Sequence, residues 1–262
     1  MQGDGIMSSL EVQSVLLGLP AYNEATSMSS LLKKVQELAL NLNGKLQVVL
    51  FDDGSTDNTA GVFLSECRSR NIAATVIGDG LNHGLGYGLR SILEYFLKNS
   101  DCEYLSIMDC DDTHHPEQIV QMLLMAKNKN LDVVIASRYQ KGSITNGVSG
   151  VRKLISSLAG VYLRILFPFS HVRDFTCGFR LYNKKSLQKL YSISDGKFFR
   201  RDGFSCMPEI LIRLYLSKSH IGEVPMELAY DRKTSASKMK FLKNMREVLM
   251  LGIRLRFNLD KA

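Results

Sequence analysis

No cysteine in this sequence stands in a C-x-x-C pair. The five cysteines, at 67, 102, 110, 177 and 206, are scattered and odd in number. That excludes a disulfide framework or a cysteine-built zinc site and points to a reducing cytoplasm. No apolar run reaches the ~20 residues of a membrane helix, and the N-terminus lacks a basic-then-apolar signal pattern. A spanning or exported chain is therefore not expected, and the localisation expected is cytoplasmic. Five prolines leave no obvious linker, and neither an internal repeat nor a low-complexity tract is visible. Known nucleic-acid motifs are missing too, as is a basic stripe with interleaved aromatics, so nucleic acid is not an expected partner. Nor does a phosphate-cradling Gly-rich loop with Lys or Arg follow the first strand, which sets a nucleotidyltransferase aside.

What is present is a globular composition, 45% apolar and 23% charged. The net charge of +7 suits an anionic partner. Its distribution is uneven: basic residues accumulate from Arg173 onward, whereas the first half holds the carboxylate clusters.

Apolar periodicity over the first ~137 residues alternates between strand and helix. Strands are predicted at Val15–Leu19, Leu46–Phe51, Ala74–Gly78, Tyr104–Met108 and Leu131–Ala136. Helices are predicted at Glu24–Leu42, after Asp57 through Val62, Leu64 and Cys67, through Leu89–Phe96, and at Pro116–Asn128. This rhythm implies an α/β fold, a mainly parallel sheet with helices on both faces. After Ser137 the rhythm breaks. An amphipathic helix at Val151–Phe167, a hairpin or strand pair around Cys177–Tyr182, a strand at Ile221–Leu228 and a closing amphipathic helix at Met239–Phe257 complete the reading. The organisation expected is a tail over residues 1–13, a nucleotide-sugar-binding half over 14–137, an acceptor-binding half over 138–239, and a C-terminal amphipathic helix over 240–262.

Three strand ends carry pointed chemistry. Pro20-Ala21-Tyr22-Asn23-Glu24 follows the first strand, Asp52-Asp53-Gly54-Ser55-Thr56-Asp57 the second, and Asp109-Cys110-Asp111-Asp112 the fourth. In a parallel sheet these ends share one rim, where ligands of open α/β sheets bind. Carboxylates can accept bonds from a ribose hydroxyl or a base N–H, and an aromatic ring such as Tyr22 can cover a base. An Asp-x-Asp pair converges on a hard divalent cation that keeps phosphate oxygens as its other ligands. Each piece also has a plainer reading: a turn and N-cap for Asp52–Asp57, packing for Tyr22, a solvated acidic turn for Asp109–Asp112.

The run Leu19–Glu24, the loop Asp52-Asp53-Gly54-Ser55 and Asp109-Cys110-Asp111 resemble glycosyltransferase family 2, of the GT-A fold. The resemblance is closest to its dolichol-phosphate (polyprenyl-phosphate) mannosyltransferase-like branch, whose Asp-Ala-Asp-Leu-Ser/Gln-His-Pro-Pro-Glu run is similar to Asp109–Glu117. Asn82–Gly86, Ser137-Arg138-Tyr139, Asp174–Arg180, Glu223-Val224-Pro225 and Arg232…Ser237-Lys238-Met239 extend the match in order. The departures are Asp112 for Leu, His115 for Pro and Ser235 for the late loop's Gly. His114 and His115 are read as capping or solvent groups rather than metal ligands.

The resemblance implies a GT-A Rossmann-like single domain. It implies that Pro20, Tyr22, Glu24, Asp52, Asp53, Asp109, Cys110 and Asp111 contact the donor. Asp109, Asp111 and Thr113 would serve Mg2+ or Mn2+, and Arg138, Arg180, Arg232 and Lys238 would face phosphates. The activity expected is metal-dependent, inverting transfer of a hexose from a GDP-mannose- or UDP-glucose-type donor to a polyprenyl phosphate. A small soluble acceptor, or a binding subunit without turnover, are the alternatives. A phosphate acceptor is already ionised near neutral pH and needs no protein base. A hydroxyl acceptor would need one, for which Glu209 and Asp174 are the candidates. The helices at Val151–Phe167 and Met239–Phe257 either pack on the sheet or lie on a membrane surface, with Arg152, Lys153, Lys243, Arg246 and Arg254 meeting anionic headgroups.

Overall fold

The computed structural model describes residues 13–146, 150–168, 172–229 and 241–257. A seven-stranded sheet organises them, in the order β3-β2-β1-β4-β7-β5-β8. The strands are β1 (Val15–Ala21), β2 (Leu46–Asp52), β3 (Ala73–Ile77), β4 (Tyr104–Ile107), β5 (Val133–Ser137), β7 (Arg180–Asn183) and β8 (Ile221–Pro225). Short β6 (Ile144–Asn146) pairs with β9 (Glu227–Ala229) in a separate parallel ladder. The run predicted at Ile221–Leu228 is thus two strands, because at Met226 the chain changes partner: its N–H still donates to Ser137 of β5, but its carbonyl accepts the N–H of Ile144 of β6.

β1 is central and covered on both faces, and so reads as continuous Val-Leu-Leu-Gly-Leu rather than alternating. β3, at the sheet's edge, buries none of its five residues fully. Among the described residues eight helices flank the sheet: α1 (Met28–Asn41), α2 (Thr59–Ser69), α3 (Leu85–Asn99), α4 (Gln118–Lys129), α5 (Gly150–Leu166), α6 (Lys184–Ile193), α7 (Cys206–Leu216) and α8 (Phe241–Arg256). α1 buries Leu31, Leu32, Val35 and Leu38, the stripe that its periodicity predicts, but begins at Met28 rather than Glu24. The intervening residues belong to the loop after β1.

One feature of the sheet governs the site. β7, from late in the chain, inserts antiparallel between β4 and β5, pairing Ile107 and Ile135 with Arg180. β4 and β5 therefore still point the same way as β1 and β2. The C-terminal ends of β2, β1, β4 and β5 line one rim, together with the segment entering β7.

Candidate active site

The loops after β1 and β2 are stitched together side chain to backbone. Asn23 takes a left-handed conformation (φ 56°), which asparagine tolerates better than most residues. Its Oδ1 accepts the N–H of Thr56 at 2.7 Å. In return the N–H of Asn23 donates to Ser55 Oγ (3.0 Å) and that of Glu24 to Thr59 Oγ1 (2.9 Å). Asp52 Oδ1 closes its own turn by accepting the Ser55 N–H at 2.9 Å. Asp53 faces the other way and ties down the loop after β3, accepting the N–H groups of His83 (2.7 Å) and Gly84 (3.0 Å). Gly54, at φ 68°, touches that loop so closely that a Cβ would sit 2.7 Å from the carbonyl carbon of Leu81. Tyr22, Glu24 and Asp52 stand half-buried at this end of the rim.

Next along the rim comes β4. Asp109 is exposed, whereas Asp111 is buried, its Oδ1 accepting both the N–H (3.2 Å) and the hydroxyl (2.7 Å) of Thr113. The thiol of Cys110 donates to the carbonyl of Pro20 at 3.1 Å, and Ser27 Oγ donates to the carbonyl of Cys110 at the same distance. Burial holds that thiol well above its usual pKa, so both residues lock the β4 loop onto the β1 loop. Asp112, the departure in this run, turns away in a left-handed conformation (φ 61°) to accept from Ser30 Oγ and Lys34 Nζ of α1. Of the two readings of His114, capping group or solvent group, the structure has the first. It is 4% exposed, accepts the Asp109 N–H on Nδ1 at 3.3 Å, and packs on the Phe179 ring. An imidazole with one face on an aromatic ring is held inside by apolar contact.

Beyond β7, at the end of β5, Arg138 forms a two-pronged pair with Asp174, Nε to Oδ2 at 2.8 Å and Nη2 to Oδ1 at 2.6 Å. Nη2 also donates to Thr176 Oγ1 at 2.7 Å, and that hydroxyl lies 3.0 Å from Ser156 Oγ. Burial opposes the Asp174 charge, yet the adjacent Arg138 and its hydrogen bonds hold the carboxyl below its ordinary pKa. Glu223 of β8 supports the pair from behind, one oxygen accepting the N–H groups of Arg173 and Asp174, both at 2.7 Å. Glu223 stood in the sequence only as part of the Glu223-Val224-Pro225 match, with no role attached to it. The available signal was an acid in the middle of a short strand.

Arg180 and Glu209 sit differently from what a phosphate contact or a free base would require. Arg180 is completely buried in β7, with Nη1 on the carbonyl of Met207 and Nη2 on that of Phe175, both at 2.7 Å. Glu209 is equally buried in α7. Its carboxylate accepts the N–H groups of Arg200 (2.9 Å) and Arg201 (3.1 Å) and the Nε of Arg213 (2.8 Å). Arg232 and Lys238 lie outside the described residues. The rim thus runs from acidic loops at β2 and β1, through the Asp109/Asp111 pair, to an arginine held by a buried carboxylate at β5. Asp109 stands beside the β7 entry, its Oδ1 3.8 Å from where a Gly178 Cβ would be.

A mixed, mostly parallel sheet with this rim defines a GT-A-like single-domain fold. The family model of glycosyl transferase family 2 matches residues 17–191, and the chain belongs to that family. It is a glycosyltransferase. A polyprenol monophosphomannose synthase of Mycolicibacterium smegmatis is 27% identical over 95% of this chain and 90% of its own length. A dolichol-phosphate mannosyltransferase of Pyrococcus furiosus is 28% identical over 85% of this chain, which spans 58% of that longer protein. Among solved structures, glucosyl-3-phosphoglycerate synthase of Mycobacterium tuberculosis with Mn2+, UDP and phosphoglyceric acid superposes with a TM-score of 0.64 at 18% identity. That match covers 93% of this chain and 78% of the other, and bears on the fold alone.

Proposed function

We propose that the chain transfers a hexose from a nucleoside diphosphate sugar to a polyprenyl phosphate met at a membrane surface, with inversion and with a divalent cation. The observation that carries the reading is the order of groups along one rim. Tyr22, Glu24 and Asp52 suit a base and ribose, Asp109 and Asp111 a diphosphate through a cation, and Arg138 a phosphate.

Among the described residues no group of three or more His, Cys, Asp or Glu is arranged to hold a metal ion. Two carboxylates with the Thr113 hydroxyl nearby suit a hard cation that takes its remaining oxygens from a donor diphosphate. Asp109 and Asp111 would hold such an ion. When bound, Mg2+ or Mn2+ would neutralise charge growing on the leaving nucleoside diphosphate.

An acceptor phosphate has a second pKa near ~6 and attacks without a protein base. Its oxygen forms a bond to the anomeric carbon as the bond to the diphosphate oxygen breaks, on the opposite face. Glu209 and Asp174 then have positioning roles: Glu209 fixes the backbone at Arg200 and Arg201, and Asp174 orients Arg138. Asp53 likewise holds the third loop, and Arg180 ties β7 to α7. Arg232 and Lys238 are assigned to phosphate on the family resemblance. The branch of the two mannosyltransferase relatives supports the lipid acceptor. So does the pairing of α5 with α8, whose outer surfaces expose Leu158, Ile165, Leu249 and Ile253.

The test is a thermal-shift panel of GDP-mannose, UDP-glucose, UDP-N-acetylglucosamine, GDP and UDP, each with and without Mn2+, followed by transfer to polyprenyl phosphate in detergent. A ligand of the native state raises the melting point by mass action. A Mn2+-dependent rise with one nucleotide family that disappears in Asp111→Ala is expected. Equal shifts in wild type and variant would count against the site. Donor binding with transfer only to a soluble acceptor would replace the lipid.

A further inference from the structure

A second concave site lies between the loop preceding α7 and one side of α8. Its volume is about 380 Å³, within the size range of small-molecule pockets. Arg201 and Ser205 line it from the loop, Arg246, Glu247, Met250 and Arg254 from the helix. Asp202, also in the wall, is engaged by Arg90 of α3 at 2.9 Å. The lining thus carries three arginines against two carboxylates, one of which, Asp202, is already paired with Arg90. Ser205 occupies the N-cap of α7, an 11-residue helix, so the positive end of its dipole lies beside the cavity, where the Ser205 hydroxyl also donates to Glu247 Oε2 at 3.4 Å.

From this we infer that the cavity binds a phosphate group borne by an apolar molecule. Guanidinium forks match phosphate oxygens two at a time, and a cavity with excess positive charge at a helix N-terminus favours an anion. The apolar part follows from Met250, which lines the cavity while 46% exposed. Leu249 and Ile253 extend that exposed surface along α8, and Ile165 lies exposed on α5, which is packed against it. A phosphate seated among the arginines would leave its chain running over this face.

The loop also has a rigid connection to the donor side. The Gly86 N–H donates to the Asp202 carbonyl at 2.8 Å, and a Cβ on Gly86 would meet Asp202 Cα at 2.5 Å, so α3 and this loop touch backbone to backbone. The same α3 begins beside the loop that Asp53 holds. Binding at this cavity requires neither donor nor Mn2+.

The phosphate has two possible sources, a soluble phosphate or a lipid, and two arms separate them. In the first, melting points are compared in inorganic phosphate and in chloride at equal ionic strength, for wild type and for Arg246→Ala/Arg254→Ala. In the second, sedimentation is measured with phosphatidylcholine vesicles, with and without phosphatidic acid. Arg164→Ala/Arg256→Ala serves as a control that removes equal charge outside the cavity.

A phosphate-specific rise that is absent from the cavity variant, and kept in Asp111→Ala, supports the site and a free phosphate as sufficient. No rise, but phosphatidic-acid-dependent binding weakened about tenfold in the cavity variant and far less in the control, supports it with a lipid source. Equal losses in both double variants, or no loss in either, overturn it, as does the absence of binding in both arms. Should the alanine variant melt much lower in chloride, Arg246→Lys/Arg254→Lys keeps the charge but loses the fork and is expected to bind several-fold more weakly. Unchanged binding there overturns the forked recognition.

Discussion

Glu223 and Asp174 meet through one short backbone segment, but their surroundings move their protonation in opposite directions. Burial raises the Glu223 pKa above 4.5, only partly opposed by the two N–H groups it accepts, and its second oxygen is buried without a hydrogen-bond partner. For Asp174, burial acts upward too, but Arg138 overcomes it and the net shift is downward. The Asp174 contribution is therefore present above the unfolded carboxyl pKa and lost as pH falls through the lower folded value. Asp174→Asn is expected to cost about 3–5 kcal/mol at neutral pH, the range for a broken buried ion pair, with the cost shrinking in acid. Glu223 has the opposite sign. Between 4.5 and its raised folded value the native state holds the extra proton, so stability falls as pH rises through that window. Glu223→Gln is expected to remove this slope at little cost near neutrality. Glu223→Ala strands two backbone donors and should lose about 2–3 kcal/mol. Urea midpoints measured from acid to neutral pH check all three, and a flat Glu223 profile would dismiss the protonated carboxyl. Asp109, Asp111 and Asp52 were legible in the sequence because they stand in acidic runs at strand ends. Glu223 stood in the Glu223-Val224-Pro225 match, but its role was not legible, because its partners are backbone groups that only the fold brings near.

Among the elements, the loops after β1, β2 and β3 behave as one unit because each fastens the next. Gly54 is where that unit is tightest, combining a left-handed φ of 68° with backbone contact to Leu81. Gly54→Ala should therefore cost about 1–3 kcal/mol from strain and, by parting the loops, weaken donor binding at least tenfold. Melting curves and donor titration measure both, and full donor affinity in the variant would mean that the loops act separately. The first five strands and their helices were legible because each carries a clean period, and the loops were too, since Asp, Asn and Gly mark turns by their chemistry. Two helices were not. α7 buries Cys206, Met207, Ile210, Leu211, Ile212 and Leu214 almost all round, so it lacks the polar face that marks a helix. α6 is ten residues of mixed character after a short strand. The insertion of β7 between β4 and β5 was likewise illegible, because a four-residue strand does not encode partners more than forty residues away.

At the scale of the whole molecule, charge and apolar exposure concentrate on one side. α5 and α8 pack together through the Tyr162 hydroxyl on the Leu249 carbonyl (2.6 Å) and through Gly252, where a Cβ would meet Tyr162 at 2.8 Å. The helices were expected either to pack or to lie on a membrane, and their geometry allows both at once. Leu163, Val248, Leu251 and Leu255 are buried, while Ile165 is 77% and Ile253 41% exposed. Segment 150–168 contains no acidic residue, and 241–257 contains only Glu247 against Lys243, Arg246, Arg254 and Arg256. Among the described residues no helix is long and apolar enough to cross a membrane, so contact through these helices would be interfacial, with apolar side chains in the acyl boundary and arginines at the headgroups. Ile165→Glu with Ile253→Glu places two charges in that face and touches neither the donor loops nor the arginine-lined cavity. Flotation with anionic vesicles is expected to fall at least tenfold, while the donor-induced melting shift stays at its wild-type size. High salt should weaken wild-type binding without abolishing it, because screening removes the headgroup attraction and leaves the apolar part. If salt alone released the protein completely and the double variant still floated at low salt, the attraction would be electrostatic only. The exposed isoleucines would then have to be explained by contact with another protein surface.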